Sequence, residues 1–265
     1  MRYLDKVSMT VVLGSVMTLT GIPSAAALPF VENRTPQISQ TTPGSLENDD
    51  SQSLTLLSQE DSQSALEAYT QTINQEPNNS TLYYNRGVTQ SELGNYQAAV
   101  EDYTQAIRLN PNYMAAYYNR GNARHQLGDY QGAVDDYTQA ISLNPNYSVI
   151  YNNRGLTQLR LGNYQAAVED YTQAINLNPN DATIYSNRGA ARIELGDSQG
   201  AVEDYTQAIR INPTYAPAYY NRGVLWSRLG DGQAGMKDFQ KAAALAQQQG
   251  NTALYQQVQA IMTTL

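Results

Sequence analysis

Cysteine is absent from the 265 residues of this chain. That excludes disulfides, thiolate metal sites, thiol nucleophiles and a lipidated cysteine anchor, and it leaves the redox compartment undecided. Histidine occurs once, as His125, which is too few for a histidine metal site or a Ser-His-Asp triad. Beyond the first ten residues the only lysines are Lys237 and Lys241. A phosphate backbone is bound by clustered Lys and Arg that release counterions. With 24 acidic against 16 basic residues and a net charge of -8, nucleic acid is not an expected partner. Phenylalanine is scarce, at 2 against 21 tyrosines, so tyrosine does the aromatic packing. Such a skew suggests one local motif copied several times. No Gly-rich phosphate loop, Gly-x-Ser-x-Gly elbow or metal-ligand cluster is present. The chain is therefore expected not to be an enzyme, and no cofactor or metal is expected.

What is present begins with an address. Arg2 and Lys6 precede an uncharged, mostly apolar stretch from Val7 to Ile22, followed by Pro23 and Ala25-Ala26-Ala27. That order is expected of a secretory signal peptide, residues 1–27, cleaved after Ala27. The alternative is an uncleaved anchor, but as a helix the stretch covers only about 24 Å of a ~30 Å hydrocarbon core. No later run is apolar enough to span a bilayer, so no stable membrane insertion is expected after cleavage. The implied location is exported: periplasm, thylakoid lumen or extracellular. Residues 28–58, rich in Pro, Thr, Ser, Gln and Asp, read as a flexible linker.

Self-similarity governs the rest. Asn-Arg-Gly begins at 85, 119, 153, 187 and 221, and prolines fall at Pro77, Pro111, Pro145, Pro179 and Pro213. Leu-Gly recurs in the same register, from Leu93-Gly94 to Leu229-Gly230. The units are 80–113, 114–147, 148–181, 182–215 and 216–249. Each reads as two helices. The first ends at a glycine able to take a left-handed conformation; the second opens behind Asn95, Asp129, Asn163, Asp197 or Asp231, which can act as N-caps. Ala99, Val100, Tyr103, Ala106 and Ile107 form one apolar stripe at helical period. A half unit precedes them at 59–79, through Asp61, Ala65, Leu66, Tyr69, Ile73 and Pro77; its first helix, about 46–58, would be degenerate. At 250–265, Leu254, Val258, Ile261 and Met262 line one side of a terminal cap helix.

The period, the early aromatic, the Leu-Gly pair, the small residues of the second helix and the closing proline resemble the tetratricopeptide repeat, in its "NRG" form. The tail is similar to that of exported repeat proteins from photosynthetic bacteria. This resemblance implies an all-α fold: a right-handed α-solenoid of tetratricopeptide helix pairs with a C-terminal capping helix. It also implies a protein–protein interaction scaffold that binds an extended segment or helix of a protein or peptide partner, in complex assembly. A self-associating homo-oligomer is the alternative.

Two tyrosine columns, Tyr83/Tyr117/Tyr151/Tyr185/Tyr219 and Tyr103/Tyr137/Tyr171/Tyr205, are expected in the core. The Arg column (Arg86, Arg120, Arg154, Arg188, Arg222) is expected to pair with the Asp column (Asp102, Asp136, Asp170, Asp204, Asp238) within ~4 Å. In this family the first helices line the concave surface. Asn85, Asn119, Asn153, Asn187 and Asn221 there resemble the asparagine ladder of O-linked N-acetylglucosamine transferase, where amides hold an extended peptide's backbone. An amide both donates and accepts; the alternative is that each Asn bonds a neighbouring helix, and both remain open. Tyr84, Tyr118 and Tyr220, with Arg124, His125, Arg160, Arg192 and Arg228, would complete an aromatic and cationic groove. The lysine clamp of chaperone-binding relatives does not carry over, since Tyr84, Tyr118, Asn152, Ser186 and Tyr220 stand in its places.

Overall fold

A computed structural model describes residues 59–263. The signal peptide, the linker and the degenerate first helix expected at 46–58 lie outside the described residues. All twelve described elements are helices, and the chain divides into two compact units at Leu161–Gly162. The first holds α1 (Gln59–Gln75), α2 (Ser80–Glu92), α3 (Tyr96–Leu109), α4 (Met114–Gln126), α5 (Tyr130–Leu143) and α6 (Ser148–Arg160). The second holds α7 (Tyr164–Leu177), α8 (Ala182–Glu194), α9 (Ser198–Ile211), α10 (Ala216–Arg228), α11 (Gly232–Gln248) and α12 (Thr252–Met262). Within each unit every helix packs on its sequence neighbours, as the all-α solenoid class requires. No helix among the described residues is long and apolar enough to cross a membrane.

Local chemistry sets the boundaries. Each first helix of a complete pair ends on a leucine cap followed by a glycine at φ between 78° and 92°, a conformation costly for residues with a Cβ. Each second helix of the first four pairs stops where Asn-Pro removes the next donor. Where that proline is missing, α11 continues to Gln248 and is stopped by Gly250 at φ 68°.

The two helices of a pair close on small residues. A Cβ on Gly87 would stand 2.8 Å from the Tyr103 ring, and one on Gly121 would stand 2.8 Å from Tyr137. Ala99, Tyr103 and Ala106 of α3 are 0% exposed, as are Ala201, Tyr205 and Ala208 of α9. Gly235, the departure from alanine in the last pair, is explained by its neighbour. A Cβ there would meet Ser227 Oγ at 2.3 Å.

At the second helices of the five pairs, N-capping divides by residue type. Asp129, Asp197 and Asp231 accept from the backbone N–H of Gly132, Gly200 and Ala234. Asn95 and Asn163, expected to do the same, make no side-chain cap bond. The Asn95 amide instead donates to Gln90 Oε1 at 2.9 Å.

Candidate functional site

The arginine at the middle of each first helix is the hub of each pair. Arg86, Arg120, Arg188 and Arg222 reach Asp102, Asp136, Asp204 and Asp238 at 2.6–2.8 Å. The expected brace therefore holds in all four pairs lying wholly within one unit. A further partner was not visible in the sequence. Nη1 of Arg86, Arg120, Arg188 and Arg222 also donates to Thr70, Thr104, Thr172 and Thr206 on the preceding second helix, at 2.9–3.2 Å. One side chain thus ties its own pair together and joins it to the one before. The guanidinium also lies 5.6–5.9 Å from the centroid of the tyrosine three residues earlier, from Tyr83 to Tyr219, within cation–π range.

That arrangement corrects the assignment of the paired tyrosines. Tyr84, Tyr118 and Tyr220, expected to line the groove, are buried at 4%, 0% and 1% exposure. The Tyr83 column, expected in the core, is only half-buried. Adjacent helical residues point about 100° apart, so one of the two must face inward; the arginine, one turn on from Tyr83, holds that ring at the outer edge. Tyr84 turns instead toward Tyr103 and Tyr113, with ring centroids 5.9 and 4.8 Å away. Burial pushes the phenols of Tyr118 and Tyr220 up to about 12. The Asn153 and Asn122 bonds to Tyr118, and the Gln257 bond to Tyr220, oppose that shift only in part.

The asparagine column divides. Asn119 Nδ2 donates to Tyr84 Oη at 3.0 Å, and Asn153 Nδ2 donates to Tyr118 Oη at 3.1 Å. Both asparagines are buried, as is Asn221, and these rungs act between neighbouring first helices. Asn85 and Asn187 are half-buried. Ser186 stands where Tyr84 and Tyr118 stand in their pairs, and Asn221 Oδ1 makes no hydrogen bond. Around Asn153 the network widens. Asn122 Oδ1 accepts from Asn153 Nδ2 at 3.2 Å and from the Tyr137 hydroxyl at 2.8 Å.

Arg124 and Arg192, expected to serve the groove as cations, are engaged on their own second helices. Each Nη1 donates to a buried aspartate, Asp136 at 3.0 Å or Asp204 at 2.9 Å. Each also reaches a carbonyl, of Gly132 or Gly200. Burial nevertheless pushes the Asp136 carboxyl up, against the opposing pull of Arg120 and Arg124. His125 Nδ1 lies 2.8 Å from Thr157 Oγ1. That hydroxyl donates to the Asn153 carbonyl, so the imidazole supplies the proton to the threonine. Arg160 is half-buried and Arg228 exposed at the ends of α6 and α10. Among the described residues no group of three or more His, Asp or Glu is arranged to hold a metal.

The geometry defines a helical-repeat protein whose pairs are locked by side-chain braces. Tetratricopeptide family models match it without a break from residue 68 to 230: "TPR repeat" at 91–128, 159–196 and 191–230, and "Tetratricopeptide repeat" at 68–101, 115–147 and 136–169. The chain belongs to the tetratricopeptide repeat family. Among solved structures it is similar to MamA, at 23% identity and TM-score 0.61 over 65% of this chain and 94% of that one. A MamA fragment from Desulfovibrio magneticus RS-1 gives 24% identity and TM-score 0.61, over 64% and 96%. YrrB, described as a TPR protein with an unusual peptide-binding site, gives 22% and 0.61, over 74% and 99%. Likeness at this level of identity concerns the fold. No curated protein matches the sequence.

Proposed function

We propose that this chain is a non-enzymatic interaction scaffold whose first helices read an extended segment or helix of a partner protein. One observation carries the reading: within the unit 59–161, packing columns repeat while one face of the first helices does not. Tyr103 and Tyr137 are identical and fully buried. At the C-terminal end of α2, α4 and α6 stand instead Ser91-Glu92, His125-Gln126 and Leu159-Arg160; Glu92 and Gln126 are exposed and the other four half-buried. A repeat holds constant what its stacking requires and is free to vary what a ligand touches. The unusual peptide-binding site for which YrrB is described supports the class of ligand. Because Asn119 and Asn153 are spent on tyrosines, recognition in this unit rests on Asn85 and on the varied ends of the first helices. We further propose that the chain works after export, cleaved behind Ala27, which the mass of the mature N-terminus tests directly.

The binding test uses a photo-reactive amino acid placed at Glu92 or Gln126 on first helices, or at Gln97 or Gln131 on exposed second-helix surface. Irradiation in the native compartment should give one common adduct from the first pair of positions and none from the second. Adducts only from Gln97 and Gln131 overturn the groove reading.

A further inference from the structure

We infer that the second unit holds a socket for a tyrosine side chain of the partner, beneath the first helices α8 and α10, where Ser186 interrupts a column of buried tyrosines. The inference rests on the scaffold reading above and names the residue that the scaffold takes.

The molecule itself shows what fits there. In the first pair Tyr84 is held on three sides. Its ring lies 5.9 Å from Tyr103 and 4.8 Å from Tyr113, and its hydroxyl accepts from Asn119 Nδ2 at 3.0 Å. Tyr118 repeats two of these contacts, with Tyr137 at 6.1 Å and Asn153 Nδ2 at 3.1 Å. Tyr220 repeats them in the second unit, with Phe239 at 6.2 Å and Gln257 Nε2 at 2.7 Å. On α8 the same place holds Ser186. The groups that surround the ring are nevertheless all retained. Tyr205 stands for Tyr103, Tyr215 for Tyr113 and Asn221 for Asn119. Only the phenol in the middle is missing.

Two of those groups register the loss. Asn119 and Asn221 are both 2% exposed, and each leaves its Oδ1 without a partner. Asn119 still gives its N–H to Tyr84, whereas Asn221 has no tyrosine hydroxyl in that place. A buried amide left so poorly matched is costly. Tyr215 is the second. It is half-buried, where Tyr113 is 2% exposed, and its hydroxyl is in hydrogen-bonding reach of Thr183 and Ser186. It covers the serine, which is only 5% exposed, so the socket is closed in the free chain.

Opening it needs a rotation of Tyr215 toward the place that Tyr113 holds, a rotamer change of the kind interfaces commonly make. Tyr215 then gives up the serine hydroxyl and gains a ring neighbour, as Tyr113 has in Tyr84 at 4.8 Å. Tyrosine is favoured over phenylalanine because a phenol oxygen accepts the Asn221 N–H and a phenyl ring does not.

The free side chain, p-cresol, tests the socket on the full chain without the partner. It should bind saturably and raise the melting temperature, with toluene about fivefold weaker. Asn221→Ala should erase that difference. Ser186→Tyr restores the residue found in three other pairs, and should raise the melting temperature and abolish p-cresol binding. In the native compartment, a photo-reactive amino acid at Arg228, exposed at the end of α10, should capture a partner. Ser186→Tyr should cut that adduct at least roughly fivefold. No p-cresol binding, or equal binding by Ser186→Tyr, overturns the socket and leaves the gap to water or to Tyr215. An Arg228 adduct indifferent to Ser186→Tyr overturns it too while the scaffold reading stands; no adduct from Glu92, Gln126 or Arg228 in the parent chain sinks both.

Discussion

The same tyrosine is satisfied in one pair of this molecule and stranded in others. In the unit 59–161, Tyr137 donates to Asn122 at 2.8 Å; Tyr103 in the same unit and Tyr205 in the unit 162–263 are equally buried and their hydroxyls have no partner. The cause is one residue, since Val88 and Ala190 stand where Asn122 does. The first unit is knitted by a polar ladder, Tyr84–Asn119 and Tyr118–Asn153. The second relies on apolar contact among Tyr205, Leu225, Ile193 and Trp226, and on the α12 cap. Identical repeats therefore reach the same fold with different balances of hydrogen bonding and burial.

The largest expected effect breaks both halves at once. The Tyr118 and Tyr220 phenols, one in each unit, sit at about 12 when folded against an ordinary 10.0. A raised folded value contributes stability that is intact below the ordinary value and lost as pH rises through the folded one. The fold should hold to about pH 9 and unfold cooperatively between roughly 10 and 12, with tyrosinate absorbance and loss of helical circular dichroism moving together. Tyrosinate appearing fully at 10 while helicity persists would contradict the buried assignment.

Next in size are the arginine hubs, where pairs differ within each unit: Asp102 and Asp238 have one arginine in salt-bridge range, Asp136 and Asp204 two. Asp238 has Arg222 as its salt-bridge partner and Trp226 where Arg124 stands, whereas Asp136 has both Arg120 and Arg124. Arg222→Ala should cost about 3–5 kcal/mol by stranding a buried carboxylate. Arg120→Ala should cost less, about 1–2 kcal/mol, because Arg124 remains. Urea midpoints measure both, and equal losses would sink the distinction.

A smaller effect separates the rungs of the asparagine column. Asn153→Ala removes donors to Tyr118 and Asn122 and should cost about 1–3 kcal/mol. Asn85→Ala, half-buried, should stay within about 0.5 kcal/mol. The melting temperature should fall clearly only for the first.

The smallest effect has opposite signs at two tyrosines of the same column. Tyr137→Phe should lose about 1 kcal/mol, while Tyr205→Phe should be neutral or slightly stabilising, since it removes a buried hydroxyl without a partner. Ala190→Asn should restore the difference by giving Tyr205 an acceptor.

Much of this was legible because repetition averages out local ambiguity. The 34-residue register, the glycine stops and the Arg–Asp brace each recur several times, and each has a local physical cause. The tyrosine pair was not legible. Tyr83 and Tyr84 are chemically identical neighbours, and their exchange needs only one step of about 100° around a helix. The available signal was Arg86, one turn beyond Tyr83 and committed to Asp102, which holds that face outward. The asparagine column stayed open between a peptide and a neighbouring helix for a related reason. An amide suits a peptide and a phenol equally well, and its choice depends on which hydroxyl the next helix brings within 3 Å.

The sequence by itself determined that this chain is a run of helix pairs, where each helix stops, and which charges meet inside a pair. Those follow from periodicity, from glycine and proline, and from partners a fixed distance apart along the chain. Tertiary structure alone decided which of two adjacent tyrosines is buried, which asparagines are spent on packing, and that Thr104 and its counterparts bind the arginine of the next pair. These depend on side chains 16 to 35 residues apart being brought together by the angle at which one pair settles on another, and no local pattern encodes that angle.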